Sequence, residues 1–252
     1  MSVPLLRTAA ADGILTVTLD RPQKRNAIND ALLAELDRTF AQVPQGTRAI
    51  VLHGAGEHFC AGLDLAEHRA RTPFEVALHS QSWHRVFARI QGGGIPVVAA
   101  LHGAVIGGGL ELASSTHVRV AEPDTIFQLP EGTHGIFVGG GASVRTARIV
   151  GAGRMCEMML TGRVVDVDEG ERLGLVHHRA GKGEALARAQ ALAARIARNA
   201  PLANWAMVTA IPRIDNMAAD DGLYAESLTA ALTQSDAEAG ERMGKFLDRR
   251  KK

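Results

Sequence analysis

Three stretches of the chain hold residue types able to do chemistry. The first reads His102-Gly103-Ala104-Val105-Ile106-Gly107-Gly108-Gly109-Leu110-Glu111-Leu112-Ala113. Three glycines ahead of a helix leave several N–H groups unpaired at the positive end of its dipole, a setting that suits a developing oxyanion or a phosphate. The same glycines would equally serve close packing of a helix on a strand. The second stretch is Glu57-His58-Phe59-Cys60-Ala61-Gly62-Leu63-Asp64-Leu65. Here Ala61 and Gly62 let backbone approach a ligand, and Asp64 stands where it can cap a following helix. Taken alone, this is also an ordinary turn with its N-cap. In the third, Phe127-Gln128-Leu129-Pro130-Glu131-Gly132, a carboxylate follows a proline in an apolar run. It is either a solvated loop residue or a placed proton carrier.

Other chemistries lack their residues. No Gly-x-Gly-x-x-Gly follows a strand, and Lys182 is not followed by the Ser or Thr of a P-loop. No His-Glu-x-x-His or paired Cys-x-x-Cys exists, so no metal site is expected. Ser143 misses the last glycine of a nucleophile elbow. A net charge of +1 argues against a nucleic-acid or membrane-surface partner. No apolar stretch approaches membrane-spanning length and no secretory signal is visible. Two cysteines without ligand spacing, Cys60 and Cys156, point to a reducing compartment, with the cytoplasm as the expected location.

The elements that must position these residues alternate between strand and helix up to about residue 150. Residues 14–19 read as a strand, Asn29 as the N-cap of a helix with Leu32, Leu33, Leu36 and Phe40 on one face, and 48–52 as a buried strand. A long helix is predicted from Leu65 to about Gln91, with a break at Pro73. Residues 96–101 form another buried strand, followed by a helix from near Leu110 to Ser114 or Ser115 and by extended pieces at 118–121 and 125–129. Helices are expected up to Arg148, over 154–160, 168–173 and 183–198, from Pro201 onward and over 236–249. A 252-residue chain with 46% hydrophobic residues can bury one sizeable core. Residues 1–195 are read as an α/β core and 196–252 as a helical C-terminal subdomain.

In order and spacing, the three motifs resemble those of the enoyl-CoA hydratase/isomerase (crotonase) family. The second stretch is similar to its Phe-x-Ala-Gly-x-Asp-(Leu/Ile) segment. The first is similar to its Gly-x-x-x-Gly-Gly-Gly-x-Glu-Leu segment, preceded here by Pro96-Val97-Val98-Ala99-Ala100, and the third to its Pro-Glu segment. Arg21-Pro22 with Asn26-Ala27-Ile28 resembles its N-terminal coenzyme A loop. Residues 159–162 and 168–176 resemble its next block, with a weaker echo from Phe246 to Lys251. The likeness runs from about residue 14 to 180.

The resemblance implies an α/β fold: a crotonase-like spiral of ββα turns forming two roughly perpendicular sheets, with a helical C-terminal region for assembly as a homotrimer or homohexamer. It implies an enoyl-CoA hydratase. The N–H groups of Leu63 and Gly108 would form the oxyanion hole, Glu111 would hold and activate water, and Glu131 would supply the α-proton. Coenzyme A, as part of the acyl-CoA substrate, would lie along Lys24, Ala27, Ala61, Asp64 and Leu65, with Lys24, Arg25 or Arg249 meeting phosphates; no separate cofactor is implied. Two departures touch the acyl pocket. Thr116-His117 stands where the family more often has Cys-Asp, and His134, Ile136, Phe137 and Val138 follow Glu131. Both histidines read as satisfied structural residues, with a polar network as the alternative. Other family reactions (double-bond isomerase, acyl-CoA hydrolase, lyase or decarboxylase) and a non-catalytic CoA- or RNA-binding relative compete with hydration; retention of both glutamates weighs against the isomerase.

Overall fold

The structure, a computed structural model, describes residues 4–67 and 70–250, the side chains of 67, 249 and 250 excepted. It opens with an antiparallel hairpin of β1 (Leu6–Ala11) and β2 (Ile14–Leu19). Asp12 and Gly13 turn it with φ of 52° and 75°, as a two-residue hairpin that matches strand twist requires. Nothing in the sequence marks β1: after Leu6 every residue of that strand is exposed, so it carries no core-facing period. Asn29 accepts the Leu32 N–H and starts α1 (Asp30–Ala41), which buries Leu32, Leu33, Leu36 and Phe40 as predicted. Next, β3 (Ala49–Gly54) runs parallel to β2.

The long helix predicted from Leu65 needs correction. Pro73 does not interrupt it but begins it. α2 (Pro73–Gly92) has Thr72 as N-cap in a reciprocal capping box with Glu75, and Leu65–Glu67 forms a separate 3-10 turn. A proline at the first helical position gives up an N–H that would have no partner anyway.

Two β-β-α turns follow. β4 (Val97–Leu101), β5 (Ala104–Ile106) and α3 (Gly108–Ser114) make one. β6 (Val118–Ala121), β7 (Ile126–Gln128) and α4 (Arg145–Val150) make the next. α3 begins at Gly108 rather than near Leu110. α5 (Ala152–Thr161), α6 (Val167–Arg172), β8 (His178–Arg179) and α7 (Ala185–Ala197) complete this part, and α8 (Pro201–Ile214), α9 (Ala219–Gln234) and α10 (Ala237–Arg250) close the chain.

The first strand of each turn joins a six-stranded sheet of order β1-β2-β3-β4-β6-β8, parallel from β2 onward. The second strand joins a smaller ladder, in which β5 pairs with β7 and single bridges link Cys60 to Val105 and Phe127 to Val165. This is the predicted α/β architecture of stacked β-β-α turns. One face of the large sheet packs on the main core, around Leu52, Leu101, Phe59 and Leu110. On its other face Val51, Val98 and Val120 meet Ala185, Ala189 and Ala193, one stripe of α7 at four-residue spacing. Residue 195, the proposed division between core and C-terminal subdomain, lies inside this helix.

A buried ion pair ties the N-terminal loop to the Ala61–Leu65 segment. Arg21 Nη2 lies 3.0 Å from Asp64 Oδ2, and both side chains are almost wholly shielded from water. Removing the cation from such a pair leaves a carboxylate desolvated without its partner. Arg21→Met is therefore expected to lower the unfolding free energy by about 3–5 kcal/mol in urea melts; a loss under about 1 kcal/mol would show that this tie contributes little.

Candidate active site

The Ile28–Leu63 bridge decides which way the amides of the second motif point. Ile28 N–H donates to Gly62 O (2.7 Å) and Asp64 N–H donates to Ile28 O (2.9 Å). Successive residues of an extended chain direct their N–H groups to opposite sides. Leu63 N–H therefore points away from Ile28, and it has no hydrogen-bond partner among the described residues. Gly108 opens α3, so its N–H lacks an intrahelical acceptor, and it too has no partner among the described residues. The two amide nitrogens lie close together: a Cβ on Gly108 would sit 3.5 Å from Leu63 N, and one on Gly62 would sit 3.2 Å from Gly108 N.

Glycine is required at the entry to this helix. Gly107 has φ 51° and ψ −121°, which a side chain opposes, and a Cβ there would lie 3.0 Å from Glu131 Oε1. The motif's two proposed roles, close packing and unpaired amides, are both present in the structure.

Leu63, Gly108, Glu111 and Glu131 all line one cavity of about 200 Å³. α3 is buried along its whole length, so the Glu111 carboxylate is shielded from bulk water. Its Oε1 accepts the N–H groups of Gly140 (2.8 Å) and Ala142 (3.0 Å). Burial raises the Glu111 pKa; the amides of Ala142 and Gly140, and then the Arg145 charge, oppose the rise. Glu131 begins a 3-10 turn, Glu131–His134, and is buried with Oε2 unpartnered among the described residues. Its pKa is pushed up to about 7, chiefly by desolvation, with a further push from the negative charge of Glu111. Two buried carboxyl groups thus line one cavity, an arrangement that disfavours double ionisation. Beside them, two free amides can stabilise negative charge on one oxygen.

Among the residues expected to meet coenzyme A, Ala61 and Leu65 line the cavity. Ala27 is buried in the N-terminal loop, whose Arg25 carbonyl accepts the Ala61 N–H at 2.9 Å. Lys24 and Arg25 are exposed on that loop. Asp64 is turned inward, held by Arg21 and by the Ala66 N–H. The side chain of Arg249 and all of Lys251 lie outside the described residues. His117 is the structural histidine expected: Nδ1 accepts from Val97 N–H, which makes Nε2 the donor to Gln91 O. His134 is not; it is exposed and lines the cavity, as do Ile136 and Phe137. Its 3-10 turn leaves it on the surface side, with no core to receive it.

No motif in the sequence marks the wall supplied by α2. Val76, His79, Ser80 and Trp83, at the i, i+3, i+4, i+7 spacing of one helix face, all line the cavity. Trp83 lies against Gly108, where a Cβ would meet its ring at 2.7 Å. Arg71, also in the wall, pairs with Asp30 at 2.8 Å, and Asp30 pairs with His79 at 2.8 Å. That spacing was visible in the sequence, but its mixed polarity hides the face as a lining. Among the described residues, no group of three or more His, Cys, Asp or Glu is arranged to hold a metal, and no helix is long and apolar enough to cross a membrane.

Comparison with known proteins places the chain in one family. The family profile described as "Enoyl-CoA hydratase/isomerase" matches residues 9–252. The chain is 32% identical to the short-chain-enoyl-CoA hydratase of Clostridium acetobutylicum over 94% of its own length and 92% of the relative's. It is 33% identical to the human enoyl-CoA hydratase domain-containing protein 2, mitochondrial, over 94% and 84%. A provisionally assigned enoyl-CoA hydratase from Rhodopseudomonas palustris superimposes with a TM-score of 0.95 at 49% identity, covering 98% of this chain and 96% of that one.

The raised Glu131 pKa has a stability consequence with a definite sign. Below its ordinary value of 4.5 the carboxyl is neutral whether folded or unfolded and carries no penalty. As pH climbs from 4.5 toward about 7 the unfolded chain ionises while the folded site resists, so the penalty grows and then levels off. Glu131→Gln is expected to raise Tm at pH 8 by roughly 2 °C or more relative to the native chain. At pH 4 the difference should vanish; scanning calorimetry at the two values checks it, and an equal Tm difference at both would contradict the raised pKa.

Proposed function

Because the chain belongs to the enoyl-CoA hydratase/isomerase family, we propose that its cavity adds water across the α,β double bond of 2-enoyl-CoA thioesters. The observation that carries hydration over the family's other reactions is the pair of buried carboxyl groups, Glu111 and Glu131, lining one cavity beside two unpaired amides. Hydration needs both an acceptor for a water proton and a donor to the α-carbon.

In this reading the thioester oxygen lies between the N–H groups of Leu63 and Gly108. Negative charge moves onto it as water adds to the β-carbon, and each amide stabilises that charge more in the transition state than in the ground state. Losing one such donor typically costs about 3–4 kcal/mol. Only main-chain atoms are used, so the leucine side chain at 63 is compatible with the role. Glu111, whose ionised form accepts two amide hydrogen bonds, orients the water and takes its proton. Glu131, with a pKa near 7, retains a proton near neutrality and delivers it to the α-carbon. Water oxygen joins the β-carbon and the Glu131 proton joins the α-carbon; proton exchange with solvent then resets the pair.

Coenzyme A enters as part of the substrate, along the exposed Lys24 and the cavity-lining Ala61 and Leu65, with the buried Ala27 and Asp64 held behind them by Arg21; no separate cofactor is assigned. Apolar side chains of Val76, Ile136 and Phe137 border the space for the acyl group. We assign the chain to a homotrimer or homohexamer; the exposed Leu223, Tyr224, Leu228 and Leu232 of α9 support an apolar contact there. The two free thiols, Cys60 and Cys156, fit a reducing compartment, for which the cytoplasm is our proposal.

A panel of 2-enoyl-CoA thioesters from short to long and aromatic chains, read by mass spectrometry, tests the reaction. The expected product carries one added water. Glu111→Gln and Glu131→Gln should each reduce turnover by about 10²-fold or more while thioester binding is retained. Products isomeric with the substrate, or no turnover across the whole panel, would defeat the hydratase reading.

A further inference from the structure

We propose that Ser80 and Arg145 are positioning residues, which clamp the 139–142 loop so that its amides hold Glu111 in its working orientation. The proposal rests on the role given to Glu111 above, and adds the groups that act through it.

The Gly140 N–H that donates to Glu111 Oε1 belongs to the same amide as the Gly139 carbonyl, and that carbonyl accepts the Ser80 hydroxyl at 2.6 Å. The Ala142 N–H, also on Glu111 Oε1, shares its amide with the Gly141 carbonyl, which accepts the Val144 and Arg145 N–H groups at 3.1 and 2.9 Å. Between them, the Gly140 carbonyl accepts Arg145 Nη1 at 3.1 Å. All three consecutive carbonyls of the loop are thus engaged on the side away from Glu111. A peptide whose oxygen is hydrogen-bonded is fixed against rotation and is polarised into a better donor.

The clamps are themselves anchored. Arg145 Nε donates to Gln91 Oε1 at 2.8 Å, at the end of α2. Ser80 sits on the cavity face of the same helix, with His84 Nε2 at 3.4 Å from its hydroxyl. Three glycines in a row are free to flip their peptides, and a flip at 139–140 would present a carbonyl, not an N–H, to the buried carboxylate. Ser80 and Arg145 supply the restraint that the glycines lack. The charged groups acting on Glu111 are Glu131 and Arg145, so Arg145 also contributes directly through its charge, whereas Ser80 isolates the positioning effect.

Ser80→Ala, Ser80→Thr and Arg145→Met should be compared with the native chain. For Ser80→Ala and Arg145→Met, kcat is expected to fall about 10-fold or more with KM within about twofold, as misplacement of a catalytic group predicts. The acid limb of the kcat profile should move to higher pH, because hydrogen bonds to an ionised carboxylate favour that form and their loss disfavours it. Ser80→Thr, which keeps the hydroxyl, should restore most of kcat. A substrate-independent readout uses 13C-carboxyl NMR in a Glu131→Gln background, where the Glu111 titration should move up in Ser80→Ala. Unchanged kcat and titration in Ser80→Ala would overturn the proposal, as would a lowered Tm with both unchanged. Native protein that hydrates nothing defeats the hydratase reading instead, while the NMR titration still decides the clamp.

Discussion

The site exists because two stretches of backbone touch. Residues 60–63 and 104–109 lie so close that Cys60 N–H donates to Ala104 O at 3.0 Å and Ile106 N–H donates back to Cys60 O at 3.1 Å. Beyond those bonds the chains are in contact along their length: a Cβ at Gly109 would stand 2.2 Å from Cys60 O, and one at Gly62 would stand 2.7 Å from Ile106 O. Only at this separation can an N–H from each stretch meet over one point. The glycines are therefore a steric requirement first, and the chemistry is a consequence of the approach they permit.

From that contact the electrostatics of the cavity follow. α3 can start where it does only by burying its first turn, and burial strips water from Glu111. An isolated desolvated carboxylate is costly, and the amides of Gly140 and Ala142 offset the cost by donating to it. At Glu131 desolvation, and after it the negative charge of Glu111, pushes the pKa up to about 7, and Oε2 has no partner among the described residues. Two carboxyl groups in one cavity thus stand in different hydrogen-bond surroundings, and burial raises the pKa of both.

The rest of the fold holds the two stretches in register. The β-β-α turns stack so that each first strand enters the large sheet and each second strand enters the small ladder, where 60–63, β5 and β7 lie side by side. The Arg21–Asp64 pair fastens the N-terminal loop to the same place. α2 closes the remaining side, with Trp83 on Gly108 and Ser80 on the Gly139 carbonyl.

The sequence by itself determined the motifs, most buried elements and the residues of the site. Strong periods show wherever a face meets the core, as with Leu32, Leu36 and Phe40 on α1 or the apolar run of β4, and ordered motifs name Glu111, Glu131, Leu63 and Gly108. It left β1 and β8 unseen, because an exposed edge strand and a two-residue strand carry almost no pattern, and it placed a break where Pro73 begins a helix. Only the tertiary structure decided which way the amides of 63 and 108 point, that Asp64 turns inward, that His134 stays at the cavity mouth, and that Ser80 and Arg145 stand behind the loop at 139–142. Orientation and partnership of this kind depend on contacts between residues far apart in the chain, such as Ser80 with Gly139 at a separation of 59. Local propensity and spacing carry no information about where distant peptide groups will face.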